Sequence, residues 1–149
     1  MKRNGFTLIE LMVVVIIIGI MAGLAAPGIL RSLPQRRQQD ARRQLFGDLQ
    51  LLRQMSMAQD VFFCLDVTSA NQYRVFRDNP ASPNGEFDDG EQVVRTERLP
   101  NGISFSNTDF TVGFRPTGVL INTDINALAI QNTDGANDTI YIMQSGAVF

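Results

Sequence analysis

The sequence contains no histidine and no tryptophan, one cysteine and two tyrosines. Without histidine, Cys/His and Ser/His nucleophilic pairs and His-rich zinc sets are excluded. The single Cys64 closes no intrachain disulfide and reads as a small buried strand residue. Acids are plentiful, but nothing pairs them with a nucleophile or a cofactor motif, so neither an enzymatic activity nor a cofactor is expected. Charge itself is missing from residues 11–30, which carry no ionisable side chain.

That uncharged run is the most informative feature present. As a helix it measures about 30 Å, the thickness of a bilayer's hydrocarbon core. A cleaved secretory signal would have a core of only about 7–15 residues. The string AGLAAP at 22–27 imitates a cleavage site, but the run around it is too long. A plain membrane anchor leaves Glu10 unexplained. A carboxylate carried well inside lipid costs about 2.5–3.5 kcal/mol on insertion scales. Gly19 and Gly23 are small enough to let helices approach closely. Pro27 and Gly28 interrupt the helical bonding and predict a kink.

Charge then divides the remainder. Residues 31–53 hold six arginines (31, 36, 37, 42, 43 and 53) against Asp40 and Asp48, a net of +4. From Asp60 onward five arginines face twelve acids, a net of −7. An acidic domain is a poor phosphate-binding surface, because duplex affinity comes largely from cations that neutralise phosphates.

After Pro34 the apolar residues recur with a helical period: Ala41, Leu45, Leu49, Leu52 and Ser56 form a stripe that Phe46 and Met55 broaden. The helix is expected to continue to about Gln59 and to lay this stripe on a sheet. The arginines of this segment read as a solvated face or a contact with neighbouring subunits. Strand-like runs follow at 61–67, 72–76, 92–99, 103–105, 110–114, 118–121, 126–131 and 139–144, separated by turn clusters such as DNPASPNG and TDGAND. One helix followed by many antiparallel strands predicts an α+β fold with the helix across one sheet face.

The leader MKRNG, then FTLIE, then LMVVVIIIGIMAGLAAPGI resembles the N-terminus of type IV pilins and type II secretion pseudopilins. The resemblance implies a pilin-like fold, with one long helix, half transmembrane and half amphipathic, on an antiparallel head. It also implies cleavage by a prepilin peptidase after Gly5 and N-methylation of the new N-terminus, Phe6. The implied divisions are a leader at 1–5, a transmembrane and filament-core helix at 6–30, an amphipathic helix at 31–60 and a β-rich periplasmic head at 61–149. Glu10 would then pair with the Phe6 amine of a neighbouring subunit, since an unpaired charge in low dielectric penalises the wrong register. The region of Pro27 and Gly28 would loosen as subunits leave the membrane for the filament.

Stretches 41–67, 73–95 and 138–149 are similar to the H-type minor pseudopilins and the minor pilins of the FimT/FimU type. This likeness implies a non-enzymatic minor subunit at the tip or initiating complex of a pseudopilus or pilus. The subunit would be anchored in the inner membrane with its N-terminus cytoplasmic and its head periplasmic. Expected partners are other pilins or pseudopilins, the peptidase, the assembly platform and, before assembly, the lipid bilayer. DNA uptake is the alternative, but no Lys or Arg follows Arg115, so nucleic acid is not an expected partner. One feature opposes this topology. Arg31, Arg36, Arg37, Arg42 and Arg43 outnumber Lys2 and Arg3 across the apolar run, against the positive-inside rule.

The acidic loop 78–91 carries one further expectation. It reads as a solvated turn without a metal, and the alternative is a calcium loop using Asp78, Asn84, Asp88 and Glu91. With Gly85 at the turn, Ser82 also falls in ligand register, but Pro80 stands where the first acid should be and Asp78 is two residues early.

Overall fold

A computed structural model describes residues 6–121 and 127–149, without the side chains of residues 24–31. The chain divides into two units, Met1–Leu33 and Pro34–Phe149, each treated by itself below. Helix α1, Leu8–Gln59, contributes to both.

In the first unit the helix exposes apolar side chains in every direction. Phe6, Leu8 and Ile9 are exposed, and so is each large apolar residue at 11–18 and at Ile20 and Met21. A helix that is hydrophobic all round has to be covered by lipid or protein. Among the described residues no helix is long and apolar enough to cross a membrane. The apolar side chains described, residues 8–23, make a stretch of roughly 24 Å, and the uncharged run continues beyond them. Pro27 and Gly28 fall within the helix bounds, but the expected kink lies outside the described side chains.

The second unit holds the core. The predicted stripe faces inward: Ala41, Leu45, Leu49, Leu52 and Ser56 are all buried, while Leu51 is 43% exposed. The helix ends through Asp60, which adopts a left-handed φ of 56°, and the Val61 N–H reaches back to the Ser56 carbonyl at 3.3 Å. This is a Schellman-type stop with aspartate in the place glycine usually takes.

Among the described residues seven strands follow: β1 Phe63–Ser69, β2 Gln72–Arg77, β3 Gln92–Arg98, β4 Ile103–Phe105, β5 Thr111–Phe114, β6 Ala127–Asn132 and β7 Asn137–Tyr141. They form two antiparallel sheets, ordered β3-β2-β1-β5 and β4-β6-β7. Side chains from both sheets join the helix stripe in one cluster that includes Leu65, Tyr73, Val112, Phe114, Leu128, Ile130 and Ile140. A smaller cluster of Cys64, Phe76 and Ile121 lies apart from it, with Phe62 and Phe87 packed against it. Two apolar clusters explain why Phe63, Cys64 and Leu65 are all buried although alternate strand residues point to opposite faces.

The run at 118–121 is not a strand. The Gly118 N–H closes a turn onto the Arg115 carbonyl at 2.7 Å, and only a single bridge, Phe114 to Leu120, follows. Leu120 then donates to Gln144 and Ile121 to Gly113, so consecutive residues serve different partners and no ladder propagates. The last run also ends sooner than expected, because 142–149 folds into a tight hairpin in which Met143 donates to Ala147 at 2.8 Å. Gly146 makes that hairpin possible. Its φ is 77°, and a Cβ there would lie 2.0 Å from the Gly118 carbonyl oxygen.

Candidate functional site

The N-terminal candidate residues are brought together locally. Thr7 precedes the first helical residue, and its Oγ1 accepts the Glu10 N–H at 3.3 Å. The Thr7 N–H and hydroxyl in turn donate to Glu10 Oε2 at 3.4 and 3.5 Å. This is a capping box, in which two backbone donors at the helix start are satisfied reciprocally. The sequence carries the signal, Thr-x-x-Glu before an apolar run, and the structure adds the capping role of Thr7 to the motif it shares with Glu10. Phe6, at 84% exposure, lies beside this cap. Gly5 lies outside the described residues. A Cβ added at Gly19 or Gly23 would meet nothing within 4 Å, so a strip of helix surface is open to close approach.

The head is fixed to its helix by polar links that no local pattern announces. Gln38 donates to the Ala136 carbonyl at 2.9 Å and accepts from Asn132 Nδ2 at 2.9 Å. Asp48 accepts the Tyr73 hydroxyl and pairs with Arg95, while Gln44 donates to the same hydroxyl at 2.9 Å. Burial, and then the bond to Asp48, pushes the Tyr73 phenol up. Arg53 donates to the carbonyls of Gly118 at 2.9 Å and Ser145 at 3.1 Å, tying the C-terminal hairpin to the helix.

Loop 78–91 is organised around Asp78, which is fully buried rather than solvated. Its Oδ2 accepts the Gly85 N–H at 2.8 Å and a long contact from the Cys64 thiol at 3.9 Å. Its Oδ1 has no partner. Glu91 serves the loop backbone, accepting from Asn79 at 2.8 Å and from Asp88 at 3.0 Å. Asn84 donates to Asp88 at 3.0 Å. The four residues of the calcium alternative are thus engaged with the loop itself or with each other, and among the described residues no three metal-binding side chains form a group. Phe87 meets Phe76 edge-on at 5.3 Å and carries the Arg74 guanidinium over its ring at 3.7 Å, which holds the loop on the sheet. The Cys64 thiol is raised by burial, then by Asp78 and Glu91, so it stays neutral and unreactive.

Burial raises the Asp78 carboxyl above the usual range, and the neighbouring Glu91 adds to it. A folded-state pKa above the unfolded one gives stability that is complete below the unfolded pKa and is lost as pH rises through the folded pKa. Asp78→Asn is therefore expected to stabilise the head at neutral pH by about 1 kcal/mol, within the range for satisfying a buried polar atom. It should also flatten the stability change between acid and neutral pH. Urea unfolding across that range checks both, and a destabilised Asn variant at neutral pH would refute the assignment.

These observations define a fold class: a long N-terminal helix that packs its second half against an antiparallel head. The N-terminus, residues 1–26, matches the prokaryotic N-terminal methylation motif. The structure is similar to the type IV minor pilin FimU of Pseudomonas aeruginosa PAO1, at 16% identity and a TM-score of 0.58, covering 78% of this chain and 90% of that one. A second FimU crystal form gives 17% identity and a TM-score of 0.54, with 74% and 90% covered. The minor pseudopilin EpsH of the Vibrio cholerae type 2 secretion system follows at 10% identity and 0.52, with 75% and 93% covered. At these identities the likeness shows the fold. No curated protein matches the sequence significantly.

Proposed function

We propose that this chain is a non-enzymatic minor pilin or pseudopilin, a structural subunit at the tip or initiating complex of a type IV pilus or a type II secretion pseudopilus. One conjunction carries the reading. A methylation motif stands at the head of a helix whose described apolar surface has no cover within the chain, and the same chain carries a minor-pilin head fold. The precursor is a single-pass inner-membrane protein, with residues 11–30 in the lipid and the head in the periplasm. A prepilin peptidase removes residues 1–5 and Phe6 is methylated. The assembly platform then moves the helix from lipid to a helix bundle, where Glu10 pairs with the Phe6 amine of an adjacent subunit. The head selects neighbouring subunits.

Mass spectrometry of the native protein tests this directly. The expected mass lacks residues 1–5 and carries one added methyl group at Phe6. An intact leader would leave Glu10 without its partner amine, and a cut near Ala25 would remove Glu10 altogether; either overturns the reading.

A further inference from the structure

The basic segment following the apolar run holds arginines that neither the fold nor the pairing of Glu10 uses. On α1, Arg36, Arg42 and Arg43 lie on neighbouring positions of one outward face, opposite or beside the core stripe, with Gln39 and Phe46 among them. Arg36, Arg43 and Gln39 are exposed, and Phe46 is half-buried. A groove of about 570 Å³ runs along this face, lined by Gln39, Arg42, Arg43, Phe46 and Asp138. Arg42 reaches Asp138 at a long 3.8 Å, and Arg37, on the flank, donates to the Asn101 carbonyl at 3.2 Å. Among the described residues Arg36 and Arg43 have no ion-pair or hydrogen-bond partner. Asp40 sits between them without pairing to either. Two free guanidinium groups, a third weakly held and an aromatic ring beside them make a cationic face with an apolar element.

We propose that this face docks on anionic phospholipid headgroups, holding the head down on the bilayer until assembly draws the helix out. The inference rests on the membrane-anchored reading above. Charge complementarity selects anionic lipid, and sequence position supports it, since Arg36 follows the end of the uncharged run by six residues. It also gives a use to arginines that otherwise oppose the topology. Each guanidinium near an anionic surface contributes about 1 kcal/mol, or roughly fivefold in the docked population.

The test uses the full chain in vesicles, with a fluorophore on Gln39→Cys; the native Cys64 is buried and does not compete for label. Quenching by neutral acrylamide is compared in phosphatidylcholine and in phosphatidylcholine mixed with phosphatidylglycerol. The label is expected to be protected only in the anionic vesicles. High salt should remove the protection, and Arg36→Gln with Arg43→Gln should lower the docked-to-free ratio roughly thirtyfold. Equal quenching in both vesicles, or protection that survives the double variant, overturns the inference. Protection in phosphatidylcholine that grows with protein density would assign the face to the acidic head of a second copy, which also overturns it. Extraction of the chain by alkaline carbonate overturns the anchor and the docking together, whereas retention without a phosphatidylglycerol effect overturns the docking alone.

Discussion

Full-length chain carrying Glu10→Gln is expected to be processed and inserted like the parent yet to be lost from the filament fraction by about a hundredfold to a few thousandfold, the effect of about 3–5 kcal/mol for breaking a buried ion pair. Glutamine is the decisive replacement because the capping geometry at Thr7 tolerates Gln as well as Glu at that position. It preserves the helix start and removes only the charge. Glu10→Val removes both, and Thr7→Val removes the cap alone at a cost of about 1 kcal/mol. Crosslinking of sheared filaments reads the outcome. If Glu10→Gln incorporates normally while Glu10→Val and Thr7→Val do not, the carboxylate serves its own helix rather than a neighbour, and the pairing with Phe6 is wrong.

The second large effect concerns the head. Leu49 is fully buried where the helix meets the core. Truncating it to alanine removes three buried carbons and leaves a cavity, which costs about 2–5 kcal/mol. Leu51, two residues on, is 43% exposed, and its replacement by alanine should stay within about 0.5 kcal/mol. The unit Pro34–Phe149 contains its own core from Ala41 to Ile142 and provides the material for urea unfolding. A loss below about 1 kcal/mol for Leu49→Ala would mean that the site collapses around the smaller residue and that the helix is not the wall of this core.

A mutational survey of the head would find its other sensitive positions where polar groups cross between elements. Asp48 joins β2 and β3 to the helix through Tyr73 and Arg95, and Arg53 holds the turn at Gly118 and the hairpin at Ser145. The Asp66–Arg74 ion pair, at 2.6 Å, instead positions Arg74 over Phe87 and so belongs to the loop 78–91. These links place the head's rigidity in its contact with the helix.

Much of this was legible in the order of residues. The stripe Ala41, Leu45, Leu49, Leu52, Ser56 and the stop near Gln59 are local facts, since a helix of 3.6 residues per turn writes its buried face into neighbouring positions. The motif at Phe6 to Glu10 is local for the same reason, and the capping box around Thr7 was equally available. Most of the strands could be placed by composition and by the turns between them. The run at 118–121 could not, because Gly118 turns back onto Arg115 while Leu120 and Ile121 donate to different partners, Gln144 and Gly113.

Only the tertiary structure decided the division into two sheets, the burial of Asp78 and the meeting of Asp48 with Tyr73 and Arg95. Each depends on residues far apart in the chain, and their partners are chosen by which surfaces the packed elements bring within bonding distance. Asp78 makes the contrast sharpest. As a letter it belongs to an exposed acidic turn, but Phe87 packs on Phe76, the loop closes over it, and a carboxylate that water would have solvated is left facing Glu91 in the dry.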